Sequence, residues 1–136
     1  MSGAAPWALA TLARRWTYVD RGREYARRRV DCMGLVLGVA REHLGLELPD
    51  PLYTGAEQWP TAVASCRPSF CRVPAEDARA GDLVLLLQAG RWHAGLFAGS
   101  ERLLQMTRAG CSLVSLAPSS PHGRRLEGVY RLEGAA

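Results

Sequence analysis

The sequence predicts an α+β fold, with N-terminal helices packed on a C-terminal antiparallel sheet of about five strands. Two observations predict it. The expected helices all fall in the first half of the chain. After Asp82 the pattern changes to short apolar runs parted by Gly- or Pro-containing turns. Helices first and a meander of strands second is the α+β order. A chain of 136 residues is long enough for one domain with a real core and too short for two, so residues 1–136 are expected to form a single domain.

Taken in order, residues Trp7 to Trp16 read as a short helix, with Pro6 in the first turn where a missing N–H costs nothing. "YVDRGREYARRR" reads as loop. The second helix follows Asp31, a suitable N-cap. Its apolar positions Met33, Val36, Leu37, Ala40 and Leu44 form a helical stripe. Gly45 is the expected C-terminal cap, and Leu46 closes it hydrophobically. The next stretch is loop, with one short helix around Thr54 to Ser65 broken at Pro60. "CRPSFCRVPAEDARAGD" is a connector with two prolines and a Gly-Asp turn. The strands are then "LVLLLQ", "WHAGLFA", "RLLQMT", "SLVSL" and "GVYRL".

The net charge is +4, and every basic residue is Arg. The chain has no Lys, Ile or Asn, and the lack of Asn removes one candidate orienting group for a catalytic base. A basic balance favours anionic partners. No aromatic–basic stripe of the kind single-stranded nucleic acid needs is present, so nucleic acid is not an expected partner. "MSGAAPWALATLARRW" lacks the basic n-region and uninterrupted apolar core of a secretory leader. No stretch has the length and apolarity of a membrane span. The expected product is therefore made in the cytoplasm, with any action outside depending on delivery. Cys66 and Cys71, in "SCRPSFC", are spaced to bridge after export; otherwise free thiols are the default. No C-x-x-C or paired histidine supports a zinc site, and no metal or other cofactor is expected.

Cys32 stands out because it begins a helix. A thiol is nucleophilic as thiolate. The unpaired N–H groups and positive dipole end of a first helical turn favour that form, and Arg27 to Arg29 lie just upstream. The same N–H groups suit a developing oxyanion. A nucleophile of this kind needs a base. His43 is eleven residues along the same helix, roughly 16 Å away at 1.5 Å per residue, and reads as a surface residue of the last turn. His122 reads as a solvated loop residue. His93 opens the strand "HAGLFA", just after an expected turn at Ala89–Gly90, with Gly95 on the same face leaving room for a backbone or substrate. It is the candidate base. Gln105, between Leu104 and Met106, is the candidate third group that holds the imidazole tautomer. It faces His93 only if the connection after "LFA" is odd in length; a two-residue turn would swing it to the other face.

"VDCMGLV" resembles the DCxGLV signature of the NlpC-type (NlpC/p-sixty) cell-wall cysteine peptidases. "GDLVLL…WHAGLFAG…LLQMT" looks like that family's Gly-Asp strand, His-x-Gly strand and third-residue strand. "TYVDRGRE" resembles the aromatic-x-x-x-Gly-Arg segment of its phage-tail branch. The likeness runs from about Thr17 to Leu132. It implies a papain-like core and amide hydrolysis in peptidoglycan stem peptides, often between D-glutamate and a diamino acid. It implies that Cys32 is the nucleophile, His93 the base and acid, and Gln105 the orienter. Tyr18 would line the site. Asp31 would cap the helix or bind the substrate's free amine. Two residues depart from the pattern. Met33 stands where wall-recycling members often carry Ser, and Gln105 where His is commoner. With no wall-binding module, delivery would fall to a phage tail or gene-transfer-like particle, and the periplasm or wall would be the place of action. The same residues also fit a non-catalytic tail-assembly or tail-tip protein. They fit a thiol acyltransferase or another amidase as well, since an acyl-thioester is resolved by water or by another nucleophile.

Overall fold

Pro6 opens the first helix in the computed structural model, which describes residues 3–48, 50, 70–88, 91–116 and 124–132. This helix, α1 (Pro6–Leu12), ends before the expected Trp16. The indole Nε1 of Trp16 donates to the Thr11 carbonyl at 2.8 Å, so a side chain takes an acceptor that a further helical turn would have used. The segment expected to be loop holds three two-residue strands: β1 (Thr17–Tyr18), β2 (Arg23–Glu24) and β3 (Arg29–Val30). β3 lies between the other two, parallel to β1 and antiparallel to β2. Strands this short and this rich in arginine show no alternation for a sequence to display.

Helix α2 (Cys32–Val39) begins where expected, with the Asp31 carboxylate accepting from the Gly34 N–H at 2.7 Å. Its burial differs from a single stripe. Met33, Gly34, Leu35, Val36, Gly38 and Val39 are all buried, so the helix is enclosed on most of its circumference. Gly34 is required by a close approach: a Cβ there would overlap the Gly22 carbonyl, which lies directly against the helix. Beyond Val39 the last turn (Ala40–Leu44) widens to a π-turn, and Gly45 ends it at φ +66° as the predicted cap. The Leu46 N–H closes the cap on the Ala40 carbonyl at 3.0 Å. His43 sits on this turn with a side chain only 21% exposed, 3.8 Å from the Glu42 carboxylate, so it is not the surface residue expected.

The main sheet contains β4 (Phe70–Val73), β5 (Leu83–Gln88), β6 (Arg91–Gly99), β7 (Arg102–Thr107), β8 (Gly110–Ser115) and β9 (Arg124–Leu132). Its order is β4-β9-β5-β6-β7-β8, antiparallel throughout. Six strands replace the expected five or so. The extra one is β4, read from sequence as connector because it is short, carries Cys and Arg, and precedes Pro74. One sheet face presents Leu83, Leu85, Ala94, Leu96, Leu104 and Met106 to Leu35, Val36 and Val39 of α2. The other face gathers Val84, Leu86, Phe97, Leu103 and Val129. Each fully buried leucine contributes roughly 1.5–3 kcal/mol.

The predicted Gly-Asp turn has a structural role. Asp82, 4% exposed, accepts from Arg131 Nε at 3.0 Å and Nη2 at 2.8 Å, and from the Arg79 N–H at 2.8 Å. The start of β5 is thereby tied to the end of β9. The short helix around Thr54 to Ser65, the Ala89–Gly90 turn, Cys66 and His122 lie outside the described residues. Cys32, Cys71 and Cys111 carry free thiols. No described helix is long and apolar enough to cross a membrane. Among the described residues no cluster of His, Cys, Asp and Glu could hold a metal ion.

Candidate active site

Strand pairing decides where His93 and Gln105 meet. Ser100 and Glu101 form a two-residue turn between Gly99 and Arg102, with φ of +53° and +57°. Both values are positive, as the right-handed twist of a tight hairpin demands. Taken alone, such a turn would carry Gln105 to the wrong face. A bulge between Phe97 and Gly99 inserts one residue into β6 and restores the register, pairing Leu96 with Leu104. Gln105 is then on the His93 face. His93 Nε2 lies 2.8 Å from Gln105 Oε1. Gln105 is only 3% exposed, so this bond also answers the need of a buried amide for a partner. The room beside Gly95 is taken by β7 itself, because a Cβ there would lie 2.6 Å from the Leu103 side chain and 2.7 Å from the Leu104 carbonyl.

Cys32 reaches this hairpin from the helix side. Ladder pairing of β6 with β7 runs from Gly99 to Leu96 and goes no further toward the start of β6. Beyond that point the Ala94 N–H is directed to the Cys32 sulfur, and the Met33 N–H joins it. The sulfur therefore meets β6 at the residue next to His93, where the two strands part.

The electrostatics differ from the expectation of a depressed thiol. Burial pushes the Cys32 thiol up. The Ala94 N–H pulls it down, Asp31 pushes it up, and the Met33 N–H and Arg23 pull it down; burial prevails. Arg27 to Arg29 are not the cations that matter. All three are exposed, and Arg27 is 3.6 Å from Glu24.

Arg23 is the cation that acts on Cys32, and sequence reasoning gave it no role. Its Nη1 donates to Asp31 Oδ1 at 2.7 Å and to the Gly22 carbonyl at 3.0 Å. Nε and Nη2 donate to the two oxygens of Asp50 at 2.8 and 3.0 Å. The Arg23 side chain is 22% exposed, with Asp31 at 15% and Asp50 at 20%. Burial works against its charge, but the hydrogen bonds to Asp50 and Asp31 win and hold the guanidinium pKa above its ordinary value. Asp31 thus caps α2 and is neutralised by Arg23 through the same oxygen.

Tyr18 lies within electrostatic reach of Cys32 and Asp31. Burial is the main cause of its raised pKa; both neighbours add to it, and Arg108 opposes it. The Arg108 guanidinium sits 5.1 Å from the centre of the Tyr18 ring. Arg108 carried no distinguishing signal among seventeen arginines, whereas Arg23 was marked as the last residue of the aromatic-x-x-x-Gly-Arg segment without a role attached. Four of the five residues singled out from sequence are thus linked in the structure as two pairs: His93 with Gln105, and Tyr18 within electrostatic reach of Cys32. Asp31 stands at the cap between Cys32 and Arg23.

The fold and the site define an α+β domain that offers a thiol, at the start of a buried helix, to two neighbouring strands, one carrying an imidazole and the other the carboxamide that holds it. The chain belongs to the NlpC/P60 family, whose family model matches residues 15–126. No curated protein matches it in sequence. Among solved structures it is similar to a Staphylococcus aureus protein described as similar to lipoprotein, NLP/P60 family. That match has a TM-score of 0.63 at 24% identity and covers 93% of this chain and 39% of the other. It is also similar to NlpC1 from Trichomonas vaginalis, with a TM-score of 0.64 at 12% identity over 97% of this chain and 46% of that one. The chain thus spans less than half the length of either protein, and at these identities the likeness is one of fold.

Proposed function

We propose that the protein is a cysteine hydrolase that cuts an amide bond in peptidoglycan stem peptides, of the D-glutamyl–diamino acid kind. In this reading a phage tail or phage-like particle carries it to the periplasm or wall. One observation carries the chemistry: the Cys32 sulfur abuts β6 beside His93, whose ring is held by Gln105. Family membership supports the same reaction class, and the phage-tail likeness of Thr17 to Glu24 supports the route of delivery.

The mechanism follows from the hydrogen bond. With Gln105 Oε1 accepting at 2.8 Å, His93 Nε2 bears the ring proton and Nδ1 keeps the lone pair. Burial keeps Cys32 protonated at rest, so Nδ1 takes the thiol proton as sulfur attacks the scissile carbonyl. The new C–S bond leaves a tetrahedral oxyanion, which N–H groups at the helix start stabilise. Nδ1 then returns the proton to the departing amine as the C–N bond breaks. Water attacks the thioester with Nδ1 again as base, releasing the acid and regenerating the thiol.

Digestion of a defined muropeptide, read by product mass, tests this. The wild-type protein should release the two halves of the stem peptide, and Cys32→Ala should release neither while remaining folded. Turnover by Cys32→Ala would end the proposal. Burial of the thiol favours a second reading, a structural tail protein that retains the fold. Alkylation of Cys32 no faster than that of free cysteine, together with no turnover, would establish that one instead.

A further inference from the structure

The charges around the candidate site are unequal in their commitments. Asp31 and Asp50 are both engaged by Arg23. Arg108 stands apart. It occupies the two-residue turn, with Ala109, that joins β7 to β8 after the Thr107–Gly110 pair. Among the described residues no carboxylate pairs with it; its one close partner is the face of Tyr18. Asp20 is within electrostatic reach of the same tyrosine but makes no ion pair with Arg108. The turn that carries Arg108 follows directly on the strand that carries Gln105. Tyr18, which the guanidinium covers, is itself within electrostatic reach of Cys32. A stacked guanidinium keeps its in-plane N–H donors available, and these match a carboxylate in geometry and charge.

We propose that Arg108 is a specificity-determining residue that binds a substrate carboxylate near the scissile amide, with Tyr18 as the platform that fixes its guanidinium. The inference rests on the hydrolase reading and deepens it. The ligand is an anionic peptide in which a free carboxylate stands beside the bond to be cut. Converting that carboxylate to a carboxamide removes the charge without altering the shape, so amidated stem peptides become poor substrates.

The test uses two synthetic stem peptides identical except for a free or amidated α-carboxyl beside the scissile bond. The wild-type protein should cleave the free acid with about tenfold higher kcat/KM, the worth of one charge-assisted pair at an exposed rim. Arg108→Gln should erase that ratio, and Arg108→Lys should retain part of it. A wild-type ratio near one, or an unchanged ratio in Arg108→Gln, overturns the proposal. A binding arm separates this failure from failure of the hydrolase reading. Cys32→Ala protein should bind the acid peptide about tenfold more tightly than the amide, and Cys32→Ala/Arg108→Gln should bind both alike. If no cleavage occurs, the binding ratio decides: a preference for the acid lost with Arg108 upholds the carboxylate site, and equal binding removes it.

Discussion

Replacing Arg23 by Met removes the cation that Asp31 and Asp50 share while keeping most of the side-chain volume. Four hydrogen bonds go with it, three of them to carboxylate oxygens at 2.7 to 3.0 Å. Breaking a largely buried ion pair from one side costs about 3–5 kcal/mol, and the one-fifth exposure of these groups sets the expectation near 3 kcal/mol. For a chain of this length that is a fall of about 10 °C in Tm. The effect on Cys32 has a definite sign. Arg23 pulls the thiol pKa down and Asp31 pushes it up, so uncovering Asp31 raises it further. That rise leaves less thiolate at a given pH; each thiolate is then more nucleophilic, but by a smaller factor, so the net result is slower alkylation. The assay is the pH dependence of iodoacetamide alkylation at Cys32, followed by peptide mass, alongside thermal unfolding. Adding Asp31→Asn should bring the midpoint back, because Asn still caps Gly34 without a charge. If Arg23→Met lowers Tm but leaves the alkylation midpoint in place, the electrostatic link to the sulfur is wrong. If Tm moves by less than about 2 °C, the clamp contributes little to the fold.

Gln105→Leu leaves His93 Nε2 without its acceptor in a buried setting. It should lower kcat/KM on a muropeptide by about ten- to a hundredfold, while Gln105→His keeps most of the activity. Asp82→Ala strands the Arg131 guanidinium and should cost about 3 kcal/mol in urea unfolding, with Cys32 alkylation at an unchanged rate. Burial pushes the Cys111 thiol from 9.0 up to about 11, so the native state holds its proton longer than the unfolded chain does. Its contribution to stability is intact below about pH 9 and is lost as pH rises through about 11, a fall of up to about 2 kcal/mol that Cys111→Ala should abolish in alkaline denaturation. Leu35→Ala, at the centre of the buried helix, should cost about 2–5 kcal/mol by the same unfolding assay.

The residues of the site were legible where local chemistry constrains the chain. A cap residue followed by a cysteine at a helix start, a histidine two positions from a glycine, and a glutamine between two apolar residues each leave a pattern that period and spacing reveal. Gln105 shows where such reasoning needs help. Parity correctly required an odd connection, but the chain meets that demand with a bulge added to a two-residue turn, and no residue announces it. The role of Arg23, marked only by its place in the Gly-Arg segment, and that of Arg108 were not legible because a long flexible cation looks the same in sequence whether it clamps two carboxylates or faces water. β4 went unread because its hydrogen bonds come from a strand more than fifty residues away. The direction of the Cys32 shift was misjudged for a related reason. The first turn of a helix is a local feature, whereas the enclosure of the sulfur is a sum over elements distant along the chain.

The position of β9 has a consequence for how the molecule is made. The last of the described strands in chain order is an interior member of the sheet, seated between two strands that precede it. A nascent chain lacking residues 124–132 has two inner strand edges with bare amide and carbonyl groups facing each other across a gap. Folding of the sheet therefore waits for residues 124–132, and a chain stopped before them is primed to join its open edges to a neighbour's.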